Sequence, residues 1–125
     1  INKHLIENNY DIIDYGTDSA ASVDYPIYAR KAAKAVASGQ CDKGIVCCGT
    51  GIGVSITANK EKGIRCALCT NEFMAEMAKR HNNANMLAFG ARITPVEDVL
   101  KMVDIWLNAA FEEGRHQRRI DLIEI

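Results

Sequence analysis

Gly44-Ile45-Val46-Cys47-Cys48-Gly49-Thr50-Gly51-Ile52-Gly53 is a short apolar run that ends in cysteine and passes directly into three alternating glycines. A run this apolar reads as a strand buried inside a parallel sheet. Glycine at every second position then lets the chain turn tightly and present bare amide N–H groups to a ligand. The segment behind it, Val54-Ser55-Ile56-Thr57-Ala58-Asn59-Lys60, is expected to be a helix whose N-terminus favours an anion at this point and lowers the pKa of Cys48.

Working outward, residues 1–9 read as the end of a helix with Ile1, Leu5 and Ile6 on one face, Tyr10 to Gly16 as a strand closed by glycine, and 17–23 as a small-polar loop. Asp24-Tyr25-Pro26 opens a helix to about Ala37, with Asp24 placed to cap it. Strands follow at 64–69 and 85–90, with a helix between them capped by Asn71 and running to about Arg80. Thr94-Pro95-Val96-Glu97 has a capping-box pattern, and the helix behind it turns Val99, Met102, Val103, Trp106 and Leu107 inward as far as Phe111. Gly114 breaks that helix, and a last one starts near Arg115. This alternation predicts an α/β fold, a three-layer Rossmann-like or flavodoxin-like parallel sheet with helices on both faces.

With 125 residues the chain fits a single domain. Its 48% hydrophobic and 25% charged residues are ordinary for a soluble protein, and a net charge of −1 gives no reason to expect nucleic acid or a membrane surface. No stretch approaches the ~20 apolar residues of a membrane span, so the expected location is cytoplasmic and the expected partner small. The five cysteines are odd in number and mostly lie in strand-like runs, which argues against a disulfide framework. Cys66-Ala67-Leu68-Cys69 has redox-motif spacing, but within a strand it reads as small hydrophobes filling the sheet.

Ligands of such sheets bind beyond the carboxyl ends of the strands, which directs attention to Cys48 and the glycine loop. Gly49-x-Gly51-x-Gly53 matches neither the dinucleotide fingerprint nor the P-loop, leaving a loop suited to a small oxyanion or a phosphate. Beside it Cys48 could be a nucleophile served by His81-Asn82, a general base, or an inert buried thiol; Cys47, on the opposite strand face, reads as inert. His81 reads equally as a histidine capping a helix. Arg115 and Arg119, four apart, project from one helix face and could grip one phosphate, or simply be solvated. His4, His116, Arg65 and Arg92 are less readable.

The motifs together carry a resemblance. Asp24-Tyr25-Pro26, Cys48 to Gly53 with Ser55 and Ala58-Asn59-Lys60, Gly63-Ile64-Arg65, His81-Asn82-Asn83-Ala84-Asn85, and Gly114-Arg115-His116 with Arg119 resemble the family of ribose-5-phosphate isomerase B and the galactose-6-phosphate isomerase subunits, over essentially the whole chain. The resemblance implies an aldose–ketose isomerase acting on ribose 5-phosphate and ribulose 5-phosphate through an enediolate, with no cofactor and no metal. It implies Cys48 as the base, Thr50 as its assistant, and the amides around Gly49, Gly51 and Gly53 with Ser55 as the oxyanion hole. His81 would open the sugar ring, Asn82 and Tyr25 would contact the sugar, and Arg115 and Arg119 would bind the phosphate.

The family's site lies at a homodimer interface, so the arginines are expected to serve a pocket whose cysteine belongs to the other subunit; a tetramer is compatible with this. The C-terminal helix, about 115–125, is expected to pack on that partner. Galactose-type subunits tend to lack the serine and histidine found here as Ser55 and His81, which favours the pentose; allose 6-phosphate, galactose 6-phosphate, or phosphosugar binding without turnover are the alternatives. The family also carries an N-terminal strand ending in an Asp-His pair. This sequence starts after that point, and the strand is expected upstream, because removing an interior strand would leave backbone groups unpaired.

Overall fold

The computed structural model describes residues 1–16 and 24–125. The loop expected at 17–23 therefore lies outside the described residues. Helices α1 (Asn2–Glu7) and α2 (Tyr25–Ala37) precede β1 (Gly44–Cys48), α3 (Ile52–Asn59), β2 (Cys66–Leu68), α4 (Glu72–Arg80), β3 (Met86–Gly90), α5 (Val96–Asn108) and α6 (Arg115–Ile123). The three strands are parallel in the order β1-β3-β2, with Gly44 opposite Met86, Cys48 opposite Gly90, and Cys66 also opposite Met86.

The central strand β3 is buried along its whole length, and its side chains alternate between two cores. Met86 and Ala88 join Val46 and Cys66 under α2 and α3, with Ala29, Ala33, Val54 and Ala58. Leu87 and Phe89 face the other way, into Cys69, Ala75, Val99, Met102, Val103 and Trp106 of α4, α5 and the adjoining segments. Helices thus cover both faces, as the alternation of elements predicts. Trp106 is fully buried and donates its indole N–H to the Ala84 carbonyl at 3.0 Å, tying α5 to the approach to β3. No helix among the described residues is long and apolar enough to cross a membrane.

Several local expectations need correction. Tyr10 to Gly16 forms no strand: among the described residues it pairs with none of the three strands, and it lines, opposite Gly44–Cys47 of β1, a cleft of about 720 Å³. The capping box at Thr94 does not form; Pro95 occupies the N-cap, while Thr94 is buried with its N–H on the Gly90 carbonyl. Asp24 stands at the N-cap of α2 but its side chain makes no capping bond. Asn71 does cap α4, accepting the Met74 N–H at 2.9 Å. On α1, Ile1 and Leu5 pack against the second core while Ile6 is exposed.

The thiols separate by environment. Burial pushes Cys66 up to about 12, with the neighbouring Cys69 adding to it, and Cys69 itself up to about 11, so the C-x-x-C pair is inert packing. Cys47 is exposed where it lines the cleft, in contrast to the buried thiol expected; the surrounding protein still raises its pKa.

Candidate active site

Cys48 sits at the last position of β1, where the chain leaves the sheet and folds back over its own sulfur. The Gly51 N–H donates to Cys48 Sγ at 3.1 Å. Burial alone would raise this thiol, but N–H groups of Val54, Gly51 and Thr50 and the Thr50 hydroxyl outweigh it and hold the pKa below the ordinary thiol value. Gly51 has φ +81°, and a Cβ there would lie 2.6 Å from Leu68 Cδ1 and 2.8 Å from the Phe89 carbonyl carbon. Only glycine fits. Gly53 lets the Tyr25 ring lie directly on its backbone, which brings Tyr25 from the start of α2 to the rim of the loop.

The loop after β3 completes this half of the site. Ala91 N–H donates to the Cys48 carbonyl at 2.8 Å and Arg92 N–H to the Gly49 carbonyl at 3.0 Å. These bonds lay the Arg92 side chain over Gly49, within about 3.5 Å of the position a Cβ there would take. The sequence alone does not mark Arg92 as a site residue, because only the register of Cys48 with Gly90 brings it to the glycine loop. Ser55 donates its hydroxyl to the Ile52 carbonyl at 2.8 Å, and Thr50 Oγ1 accepts the Ile52 N–H at 3.2 Å. Cys48, Gly49, Thr50, Gly51, Gly53, Ser55, Tyr25 and Arg92 thus form one cluster at the carboxyl end of β1.

His81, Asn82, Arg115 and Arg119 form a second cluster, at the other end of the sheet. Helix α4 runs antiparallel to the strands, so its C-cap, His81, lies where β3 begins. Arg65, just before β2, fixes this turn: Nε donates to the Asn82 carbonyl at 3.0 Å and Nη2 to that of Asn83 at 2.9 Å. Its Nη1 meets Glu124, past the end of α6, at 2.6 Å, drawing α6 to the same edge. Asn85 accepts the Arg65 N–H at 2.8 Å. At about 3.3 Å per residue, the four steps from Gly44 to Cys48 put this edge ~13 Å from Cys48. A single copy of the chain therefore cannot bring His81 and Cys48 together.

His116, on α6, is buried and stacks on His81 with ring centroids 4.1 Å apart and planes 10° from parallel. Burial and then the charges of His81 and Arg115 lower its pKa, which favours the neutral ring. On sequence His116 is a weaker candidate than His81; its place four residues after Glu112 is the legible clue. Arg115 and Arg119 are both exposed on α6.

These two half-sites are the setting for the comparisons with known proteins. Residues 1–123 match the family model described as Ribose/Galactose Isomerase. The chain belongs to the ribose/galactose isomerase family. Over 120 residues it is 48% identical to ribose-5-phosphate isomerase B of Escherichia coli strain K12, spanning 96% of this chain and 80% of that protein. The fold matches the structure of Clostridium thermocellum ribose-5-phosphate isomerase B with a TM-score of 0.97 at 50% identity, covering 98% and 83% of the two chains. It also matches the Mycoplasma genitalium enzyme, solved with bound ribulose 5-phosphate, with a TM-score of 0.93 at 42% identity and 98% and 82% coverage. Family membership agrees with the resemblance carried by the motifs and with the α/β architecture.

Proposed function

We propose that this member of the ribose/galactose isomerase family interconverts ribose 5-phosphate and ribulose 5-phosphate in a site that two copies of the chain complete. The observation that carries the reading is the Cys48 thiol, held below its ordinary pKa by the loop that follows β1. Isomerisation needs a base that removes the C2 proton of the open-chain aldose, leaving an enediolate, and returns a proton to C1. A partly exposed thiolate with its charge already balanced by N–H groups suits that task, and Thr50 beside it can steady both states.

The glycine loop then has a different first role from the oxyanion hole that the resemblance implies. Gly51 N–H is aimed at the sulfur and the Ser55 hydroxyl at a main-chain carbonyl, so the loop chiefly stabilises the base. Arg92 supplies the nearest cation for the developing oxyanion or the phosphate. The second copy contributes His81 to open the furanose ring, Asn82 to bind hydroxyls, and Arg115 and Arg119 to grip the phosphate in forked hydrogen bonds. The separation of the two half-sites within one chain supports this dimer, as do Leu122 and Ile123, which α6 leaves exposed. A small sugar phosphate is the ligand that this chemistry requires.

The test is a coupled assay on ribose 5-phosphate, allose 6-phosphate and galactose 6-phosphate with the wild-type chain and Cys48→Ala. The expected result is turnover of the pentose by the wild type, and binding without turnover by the variant. Normal turnover by Cys48→Ala, or a preference for a six-carbon substrate, would overturn the reading.

A further inference from the structure

We infer that Glu112, which no sequence motif singles out, positions His81 for opening the sugar ring by holding it in its stack with His116; the inference rests on the isomerase reading above. Glu112 lies in the connection between α5 and α6 and is fixed from two sides. Its N–H donates to the Arg80 carbonyl at 3.0 Å, and the Arg80 guanidinium returns to its Oε2 at 2.7 Å while a second nitrogen holds Glu76 at 2.7 Å. Glu113 and Gly114 follow with φ +61° and +59°, turning the chain so sharply that His116 comes back over the same carboxylate. Glu112 Oε2 then stands 3.7 Å from His81 Nε2, and Oε1 stands 3.6 Å from His116 Nε2.

This arrangement gives one carboxylate to two stacked imidazoles, with the buried His116 as the wall against which the half-exposed His81 lies. Charge on either ring opposes charge on the other, and Arg115 and Arg119 on α6 and Arg80 on α4 add to the positive field. Among the described residues Glu112 is the anion that faces both rings, and its charge opposes the lowering of the His116 pKa. Three potential metal donors do lie within 4.8 Å of one another here. The two ring planes are nearly parallel, however, and do not converge on a common ion, while Arg80 already occupies Oε2. The geometry suits a carboxylate that keeps the two rings in register.

The step it serves is balanced within the substrate. The proton on the anomeric hydroxyl of C1 leaves, the bond from C1 to the ring oxygen breaks, C1 becomes an aldehyde, and the ring oxygen receives a proton. His81 takes one proton and gives one back, and Glu112 is not consumed.

Ribulose 5-phosphate provides the discriminating probe, because its C5 hydroxyl is esterified and it cannot close a furanose ring. Exchange of its C1 proton with solvent deuterium needs the Cys48 chemistry but no ring opening. In Glu112→Gln, conversion of ribose 5-phosphate should fall about 10-fold or more, while C1 exchange into ribulose 5-phosphate, followed by NMR, stays close to the wild-type rate. Glu112→Asp, which keeps the charge, should retain more conversion than Glu112→Gln. Equal loss of conversion and exchange, no loss of either, or equal damage from the two substitutions would overturn the inference. A wild-type chain inactive on ribose 5-phosphate would instead overturn the isomerase reading itself.

Discussion

Replacing Gly51 with alanine perturbs the chemistry through a single methyl group. At φ +81° a residue with a Cβ is strained by about 1–2 kcal/mol. The methyl would also stand 2.8 Å from the Phe89 carbonyl carbon and 3.0 Å from the Gly90 N, main-chain atoms of β3 that cannot rotate away. The loop must therefore shift, and the hydrogen bond from the Gly51 N–H to Cys48 Sγ is the first to break. A hydrogen bond to a charged group contributes about 1.5–3 kcal/mol, which corresponds to about 10- to 100-fold less thiolate at a fixed pH below the folded pKa of Cys48. The assay is the alkylation rate of Cys48 by iodoacetamide in a Cys41→Ser, Cys47→Ser background, with Cys66 and Cys69 silent because burial holds them near 12 and 11. The turnover of ribose 5-phosphate should fall in the same proportion. An alkylation rate and pH profile unchanged in a folded Gly51→Ala protein would refute the claim that this loop tunes the thiol.

Other expectations follow from the same geometry. Because the folded pKa of Cys48 is depressed, the thiolate's contribution to stability is complete above the unfolded thiol value of about 8.5 and is lost as pH falls through the folded pKa. The difference in unfolding free energy between wild type and Cys48→Ala, measured in urea, should accordingly shrink as the buffer is acidified from pH 9; a difference independent of pH would contradict the thiolate. Arg65→Lys cannot hold the Asn82 and Asn83 carbonyls and Glu124 at once. It should lower kcat/KM for ribose 5-phosphate while leaving the alkylation rate of Cys48 unchanged, because the two lie at opposite ends of the sheet.

The layers of the fold are legible in the sequence because β3 and its neighbours are apolar throughout and the helices between them keep a 3.6-residue period. The strand expected at Tyr10 to Gly16 does not form, since alternation records only which face is apolar and says nothing about whether a partner backbone lies about 5 Å away. The Thr94 capping box fails for a local reason: Pro95, one residue later, takes the N-cap position. Within the site, Cys48 can be read from the strand-to-glycine junction. The placement of His81 is a matter of topology: a helix returning across a parallel sheet ends at the edge where the next strand starts. Arg92, Glu112 and His116 become meaningful only through neighbours distant in sequence or through the turn at Glu113 and Gly114.

Completion of the site by a second copy is tested most directly by mixing two inactive variants. Cys48→Ala and His81→Asn chains, each inactive alone, are co-expressed with different tags or exchanged into mixed dimers. In a mixed dimer one site receives the intact cysteine of one chain and the intact histidine of the other, so random pairing should restore about a quarter of wild-type turnover of ribose 5-phosphate. No activity above that of the parent variants, in a sample shown to contain mixed dimers, would contradict the shared site.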